Sequence, residues 1–571
     1  MNSAWFKQTH ALLLLWGVAW GLAGCGEARA ATATAGTGRH GIAATIHPLA
    51  TEAAAQALQS GGNAIDAAVA AGLTLGVVDG QNSGIGGGCF ILLRLADGRI
   101  LAIDGREQAP AGASRDMFVR EGQAEAQLSQ TGALAAGVPG ALAAYAYAAT
   151  NYGRLPWSTH LTTAAQLAEQ GFNLNRDYAQ RLASTADSLR RFPAAREIFL
   201  DADGGPWQLG DVLRQPDLAA TYRAVAAQGV EWFYGGPFAK KTEDWMQANG
   251  GLIRITDLKE YRLKLREPLR TNYRGYEIVG FPPPSSGGVH VAQLLNILEN
   301  FDLKKMGAGS ANFIHVITEA MKVAFADRAY WLGDPDYAPV PRGLVSKDYA
   351  AALAKQIDRK RVTPVSSAGM PEGATTDLFK HTTHFSMADA EGNWVACTAT
   401  INTSFGSKVV VPGTGVLLNN EMDDFSSQPG VPNAFGLVGA EANAVAPGKR
   451  PLSSMSPTLV FKNGQPLFSL GAAGGPTIIS QTLLTLIYCL DFGMPVERAL
   501  EQVRFHHQWR PDELRIERKA GESVLRELRK RGHVVREVDR FGATQAIAWE
   551  VGKDRFLGSA DPRSEGETKG N

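Results

Sequence analysis

Four cysteines in 571 residues are too few to staple a fold, and Cys25, Cys89, Cys397 and Cys489 show no CxxC or Cys/His spacing that would assemble a zinc site. Net charge is lacking as well: 56 Lys plus Arg balance 56 Asp plus Glu, so no whole-protein field draws the chain to nucleic acid. The longest apolar run, residues 11–23, is roughly a dozen residues against the ~20 that a membrane-spanning helix needs. His506-His507 lack an HExxH frame and read as histidines packed in the core or behind a site. Gly84-Ile85-Gly86-Gly87-Gly88 precedes a strand instead of opening a helix, so it fails as a dinucleotide fingerprint and reads as a tight turn with close backbone packing.

What is present is an ordinary globular composition, 45% hydrophobic and 20% charged, with a length that alone suggests about three or four domains. Lys7 followed by the apolar run reads as an export signal over residues 1–24. The run closes on Leu22-Ala23-Gly24-Cys25, which is similar to a bacterial lipobox with Cys25 as the lipidated residue; Ala28-Arg29-Ala30 offers ordinary cleavage as the alternative. Residues 25–40 form an Ala/Thr/Gly-rich lead-in expected to be flexible, with order beginning near Gly41. Two helices are expected over 51–75 around Gly61-Gly62-Asn63, and helical patterns dominate 130–370, broken by Pro282-Pro283-Pro284-Ser285-Ser286-Gly287-Gly288. The basic run Arg526 to Arg531 ends at Gly532 and reads as a solvated helix face.

Residues 362–376 are polar and aperiodic, as in an exposed segment. Beyond them, strand-like runs over 383–388 and 394–400 flank a turn centred on Glu391. Residues 382 and 400 are equidistant from residue 391, so an antiparallel hairpin sets Thr382 and Thr400 opposite each other at its open end. A second hairpin turns at Asn463-Gly464 and empties into Gly474-Gly475-Pro476 ahead of a helix, where backbone N–H groups are poised for negative charge. A threonine facing another threonine near such donors meets part of the need of a nucleophile for activation and oxyanion stabilisation. By spacing alone, the default readings are an ordinary strand-edge residue for Thr382 and a simple polar turn for Ser453-Ser454.

His381-Thr382-Thr383-His384-Phe385-Ser386, followed by Thr400-Ile401-Asn402-Thr403-Ser404-Phe405-Gly406, resembles the gamma-glutamyltranspeptidase family of N-terminal-nucleophile hydrolases. Supporting segments are Gly62-Asn63-Ala64-Ile65-Asp66, Asp104-Gly105-Arg106-Glu107, Pro283-Pro284-Ser285-Ser286-Gly287-Gly288, Asn419-Asn420-Glu421-Met422-Asp423-Asp424, Pro451-Leu452-Ser453-Ser454-Met455-Ser456-Pro457 and Phe505-His506-His507-Gln508-Trp509. They recur in order across 41–564. The resemblance implies an α/β (α+β) fold, a four-layer αββα sandwich built as one intertwined domain. It implies self-cleavage between His381 and Thr382 into a large subunit, 41–381, and a small catalytic one, 382–571, forming a heterodimer. The export signal and the lipobox-like run, for their part, imply a periplasmic location, with membrane attachment through Cys25 if that residue is lipidated.

By the same resemblance Thr382 is the nucleophile and its freed α-amine, titrating near 8, the base. Thr400 is expected to hydrogen-bond Thr382, and Gly474 and Gly475 to hold the oxyanion. Arg106, Ser453 and Ser454 are implied to bind the donor α-carboxylate, and Asn402, Glu421 and Asp424 its α-ammonium. The implied reaction moves the γ-glutamyl group of glutathione or related compounds to water, an amino acid or a dipeptide, with no metal or organic cofactor. Many bacterial members carry Tyr in the loop covering the site, where 429–445 here has Phe435. Rival readings are a glutaryl or cephalosporin acylase, a polyglutamate transferase and a non-catalytic surface lipoprotein. Glu421 and Asp424 argue against the first, since a glutaryl group has no cation for them.

Overall fold

Along the strands, apolar residues face both ways, and the two parities belong to different cores. In the strand Gly88–Arg94, Cys89, Ile91 and Leu93 enter one hydrophobic cluster, while Phe90 and Leu92 enter another. The same division runs through Trp394–Thr400, where Val395, Cys397 and Ala399 oppose Trp394 and Ala396. A strand whose successive side chains alternate faces can be apolar on both only if both are covered. The computed structural model, which describes residues 32–369, 383–428, 430–439 and 441–571, has that arrangement.

Two seven-stranded antiparallel sheets are stacked. The first runs Glu567–Gly570, Gly41–Thr45, Thr383–Asp389, Trp394–Thr400, Gly88–Arg94, Ile100–Gly105, Lys264–Arg266. The second runs Thr34–Gly38, Arg555–Ala560, Ala543–Glu550, Gln465–Ala473, Thr458–Lys462, Tyr276–Gly280, Leu269–Tyr273. Between them Ile42, Phe90, Leu92, Trp394 and Ala396 of the first meet Val279, Leu459, Phe461, Ile547 and Phe556 of the second. Helices Pro48–Gln59 and Ala64–Val78 cover the outer face of the first sheet, and Ser286–Leu298, Ala311–Trp331 and Thr477–Leu490 that of the second. The layers are therefore αββα, as expected, and Ala33–Asn571 forms one compact unit, not the several that length alone suggests.

The helix Ala64–Val78 is fully buried and starts where the sequence says it should: Asn63 and Asp66 make a reciprocal capping box. Each sheet draws strands from both sides of residue 382. Two expectations are corrected. The lead-in is ordered from residue 34, because Thr34–Gly38 needs only backbone groups to pair along Arg555–Ala560, a bond that leaves no side-chain pattern to read. Within the stretch read as helical, Leu269–Tyr273 and Tyr276–Gly280 form a hairpin closed by Arg274 (φ 48°) and Gly275 (φ 82°), both left-handed as a two-residue turn requires. Among the described residues no helix is long and apolar enough to cross a membrane. Cys25, His381, Thr382 and the 1–24 segment lie outside the described residues.

Candidate active site

The first hairpin pairs Thr383 with Ala399, so Thr400 stands at the open end of the ladder, as the spacing predicts. Its Oγ1 accepts from Asn402 N at 2.7 Å, leaving the hydroxyl hydrogen to donate elsewhere. Asn402 is held at φ 74°, an uncommon conformation for a side-chain-bearing residue. Its Nδ2 donates to Asn420 O at 2.9 Å, while its Oδ1 is buried with no hydrogen-bond partner among the described residues. The glycine-rich turn is a packing device: a Cβ on Gly87 would lie 1.9 Å from Thr400 O, and one on Gly88 2.2 Å from Glu107 Oε2.

Behind Asn402 lies a buried charge cluster that joins residues distant in sequence. Arg106 leaves the first sheet just after Ile100–Gly105, and the 3-10 turn Glu421–Asp424 brings two carboxylates to it. Its Nη1 pairs with Glu421, Nη2 with Asp424 at 2.8 Å, and Glu107 stands 3.5 Å from Nη1. Nε and Nη2 also donate to the carbonyls of Pro451 and Leu452, at 2.9 and 3.1 Å. One guanidinium thus faces three carboxyl groups, all fully buried. Burial pushes the Glu107 carboxyl up to about 7 despite Arg106 beside it, and burial with its acidic neighbours raises Glu421 too. Glu421 Oε2 has no hydrogen-bond partner among the described residues. The cluster sets three carboxyl groups against one guanidinium, an acid-rich composition suited to receiving a second cation.

Ser453 and Ser454 follow directly. The Ser453 hydroxyl accepts from Met455 N at 3.1 Å, and Ser454 Oγ accepts from Arg328 Nη2 at 2.7 Å. On the second sheet, Gln465–Ala473 runs into Gly474 (φ 124°) and Gly475 (φ 69°) before the helix Thr477–Leu490. Ala473 O accepts from Gln481 Nε2 at 2.8 Å and Gly474 O from Thr477 Oγ1, so both carbonyls face the helix. In trans peptides the N–H groups of Gly474 and Gly475 then point away from it. Asn402, Phe435, Ala473 and Gly474 line one cavity of about 900 Å³. The loop carrying Phe435 is latched to Asp423, whose Oδ2 accepts from Ala434 N at 3.1 Å. Arg106, Glu421, Asp424, Ser453 and Ser454 are buried behind this cavity, off its open wall.

Three groups here have no assigned role in the sequence reading. Glu107 adjoins Arg106 and could have been suspected from that adjacency. Arg328 is a lone cation in an apolar helix face. Asp79 follows the helix Ala64–Val78, lines the cavity, and accepts from Thr383 Oγ1 at 3.1 Å. Burial pushes its carboxyl up to about 7, and the negative end of the helix acts in the same direction. Unfolded, it titrates near 4. Between these values the folded protein keeps a proton that the unfolded chain has lost, so stability falls as pH rises through that window. From about pH 4 to 7 the wild type is expected to lose a few degrees of melting temperature relative to Asp79→Asn. Parallel melting curves across that range would refute the assignment.

Among the described residues one trio, His315, Glu319 and His533, has ligand atoms close enough to share an ion. His533 Nε2 donates to His315 Nδ1 at 2.7 Å, His315 Nε2 donates to Asp358 O at 2.8 Å, and Lys322 Nζ stands 3.1 Å from Glu319, so these atoms are already engaged and the trio ties the helix Ala311–Trp331 to the turn at residue 533. His506 and His507 are buried and engaged by Ser480, Gln508 and Asp512.

The chain matches the family model for gamma-glutamyltranspeptidase over residues 50–570. It is 44% identical over 530 residues to the glutathione hydrolase proenzyme of Escherichia coli K12, covering 92% of this chain and 91% of that one. It is 40% identical over 522 residues to an acylase ACY 1 proenzyme of Pseudomonas sp. V22, covering 90% of each. Its fold is similar to the crystal structure of cephalosporin acylase from Bacillus halodurans, with TM-score 0.86 and 29% identity over 94% of this chain and 97% of that one. A match of this extent, on a fold and residue cluster of this kind, places the chain in the gamma-glutamyltranspeptidase family.

Proposed function

We propose that this protein is a γ-glutamyl acyltransferase and glutathione hydrolase that activates itself by cleaving between His381 and Thr382. The observation that carries the substrate assignment is the Arg106, Glu107, Glu421 and Asp424 cluster, beside which the buried Asn402 Oδ1 has no partner among the described residues. An α-ammonium supplies the missing positive charge. A glutaryl group has none, which favours a γ-glutamyl donor in spite of the likeness to acylases. Ser453, Ser454 and Arg106 would take the α-carboxylate.

In the proposed mechanism the freed α-amine of Thr382 takes the hydroxyl proton as Oγ attacks the γ-carbonyl carbon. The oxyanion is met by the N–H groups of Gly474 and Gly475, and Thr400 fixes the nucleophile from the facing strand. Collapse breaks the C–N bond, and the ammonium of Thr382 returns its proton to the leaving amine, leaving a γ-glutamyl ester. Water yields glutamate; an amino acid or dipeptide amine yields a new γ-glutamyl amide. Export, followed by either lipidation at Cys25 or simple cleavage, would place the enzyme in the periplasm. Phe435, where a tyrosine hydroxyl would otherwise sit, leaves a lid without that donor and would alter the balance of hydrolysis and transfer.

Purified wild-type protein is expected to run as two fragments and to release p-nitroaniline from γ-glutamyl-p-nitroanilide. Titration with glycylglycine then separates transfer from hydrolysis. An intact chain without turnover would overturn the proposal.

A further inference from the structure

The loop Pro283-Pro284-Ser285-Ser286-Gly287-Gly288 braces the two serines assigned to the donor carboxylate. Ser453 N donates to Pro284 O at 2.8 Å, and both Ser286 N and Ser286 Oγ donate to Ser453 O at 2.7 Å. The contact is close enough to require glycine, since a Cβ on Gly287 would lie 2.3 Å from Met455 O. Into this brace the helix Ala311–Trp331 inserts the fully buried Arg328. Its Nε donates to Ser286 Oγ at 2.9 Å and its Nη2 to Ser454 Oγ at 2.7 Å. Among the described residues the groups around it include the Phe325 ring, 5.9 Å from the guanidinium carbon, His290, His506 and the Asp424 carboxylate.

A guanidinium has no acceptor, so Ser454 Oγ can only accept from it, and the hydrogen of that hydroxyl is left to point elsewhere. Arg106, meanwhile, directs Nε, Nη1 and Nη2 to Pro451, Leu452, Glu421 and Asp424. We propose that Arg328 is a positioning residue for the donor α-carboxylate: by donating to Ser454 Oγ it aims that hydroxyl hydrogen at the carboxylate and sets a second positive charge one hydrogen bond behind it. A fork that grips Ser286 and Ser454 together also fixes the spacing of the two serines, a task for which a planar guanidinium is suited and an ammonium is not. The inference rests on the γ-glutamyl reading above.

Three p-nitroanilides separate this role from a merely structural one: γ-glutamyl, glutaryl (carboxylate without amine) and 4-aminobutyryl (amine without carboxylate). With Arg328→Gln, KM is expected to rise about tenfold or more for the first two and to stay within about twofold for the third, with kcat changed less than about threefold. Arg328→Lys should fall between, and Ser454→Ala added to Arg328→Gln should cost far less than it does alone. An equal rise for all three donors, or no rise for any, would overturn the proposal. If Arg328→Gln is not processed into two fragments, Arg328→Lys and Ser286→Ala carry the same comparison, and a donor-independent effect there counts against it equally. Wild-type protein that turns over no γ-glutamyl amide would instead remove the reading beneath it.

Discussion

Thr382→Ala is expected to leave the purified protein as a single chain and to lower p-nitroaniline release from γ-glutamyl-p-nitroanilide by at least about 10⁴-fold. Both losses follow from one chemical fact. In the proposed mechanism the same hydroxyl attacks its own upstream carbonyl to free the amine, and then attacks substrate with that amine as base. While residue 382 is joined to His381 its nitrogen is an amide with no basicity to offer, so an unprocessed chain is an inactive one. Thr382→Ser keeps a hydroxyl and is expected to retain cleavage and a measurable rate. An alanine variant that still appeared as two fragments, or still turned over the amide, would require another nucleophile.

The second large effect is expected at Asp424. Asp424→Asn preserves shape and keeps an oxygen for Arg106 Nη2, now at 2.8 Å from the carboxylate, but removes one of the three acids around that guanidinium. For a γ-glutamyl donor, whose ammonium depends on that surplus, kcat/KM should fall by about 10²- to 10³-fold, the usual cost of removing one partner from a desolvated charge pair. For a glutaryl donor the loss should be no more than about tenfold, since Asp424 then serves only to hold Arg106. The measurement is the ratio of kcat/KM for the two p-nitroanilides. A variant that lost both activities in equal proportion would show that Asp424 supports the fold of the site without reading the ammonium.

The parts of this molecule legible in its sequence are those whose determinants are local. The hairpin Thr383–Asp389 to Trp394–Thr400 could be registered from its turn, because an antiparallel ladder is fixed by distance from its centre. The capping box at Asn63 and Asp66 and the glycines ahead of Thr477–Leu490 are local in the same sense. The hairpin at Arg274-Gly275 was equally local, and was hidden only by the helical pattern around it. The site itself was otherwise: Arg106, Glu421 and Asp424 came from a family resemblance, since nothing in their spacing brings residue 106 to residue 424. Asp79, Glu107 and Arg328 escaped because their significance is a matter of burial and of neighbours, which composition and periodicity do not encode. The edge strand Thr34–Gly38 escaped because backbone hydrogen bonding has no residue signature.

The interleaving of the two sheets has a kinetic meaning. Gly41–Thr45 lies between Glu567–Gly570 and Thr383–Asp389, and the terminal Asn571 O accepts from Arg39 N and His40 N at 2.8 and 2.9 Å. In an uncut precursor all these strands find one another within a single molecule. After the proposed cut, the same pairings must be rebuilt by collision between two polypeptides, and the reaction order of refolding changes from first to second. The mature enzyme would then regain its structure at a rate that depends on its own concentration, while the precursor would not. Having folded as one chain, the protein would carry its architecture forward as a memory of a connection it no longer has.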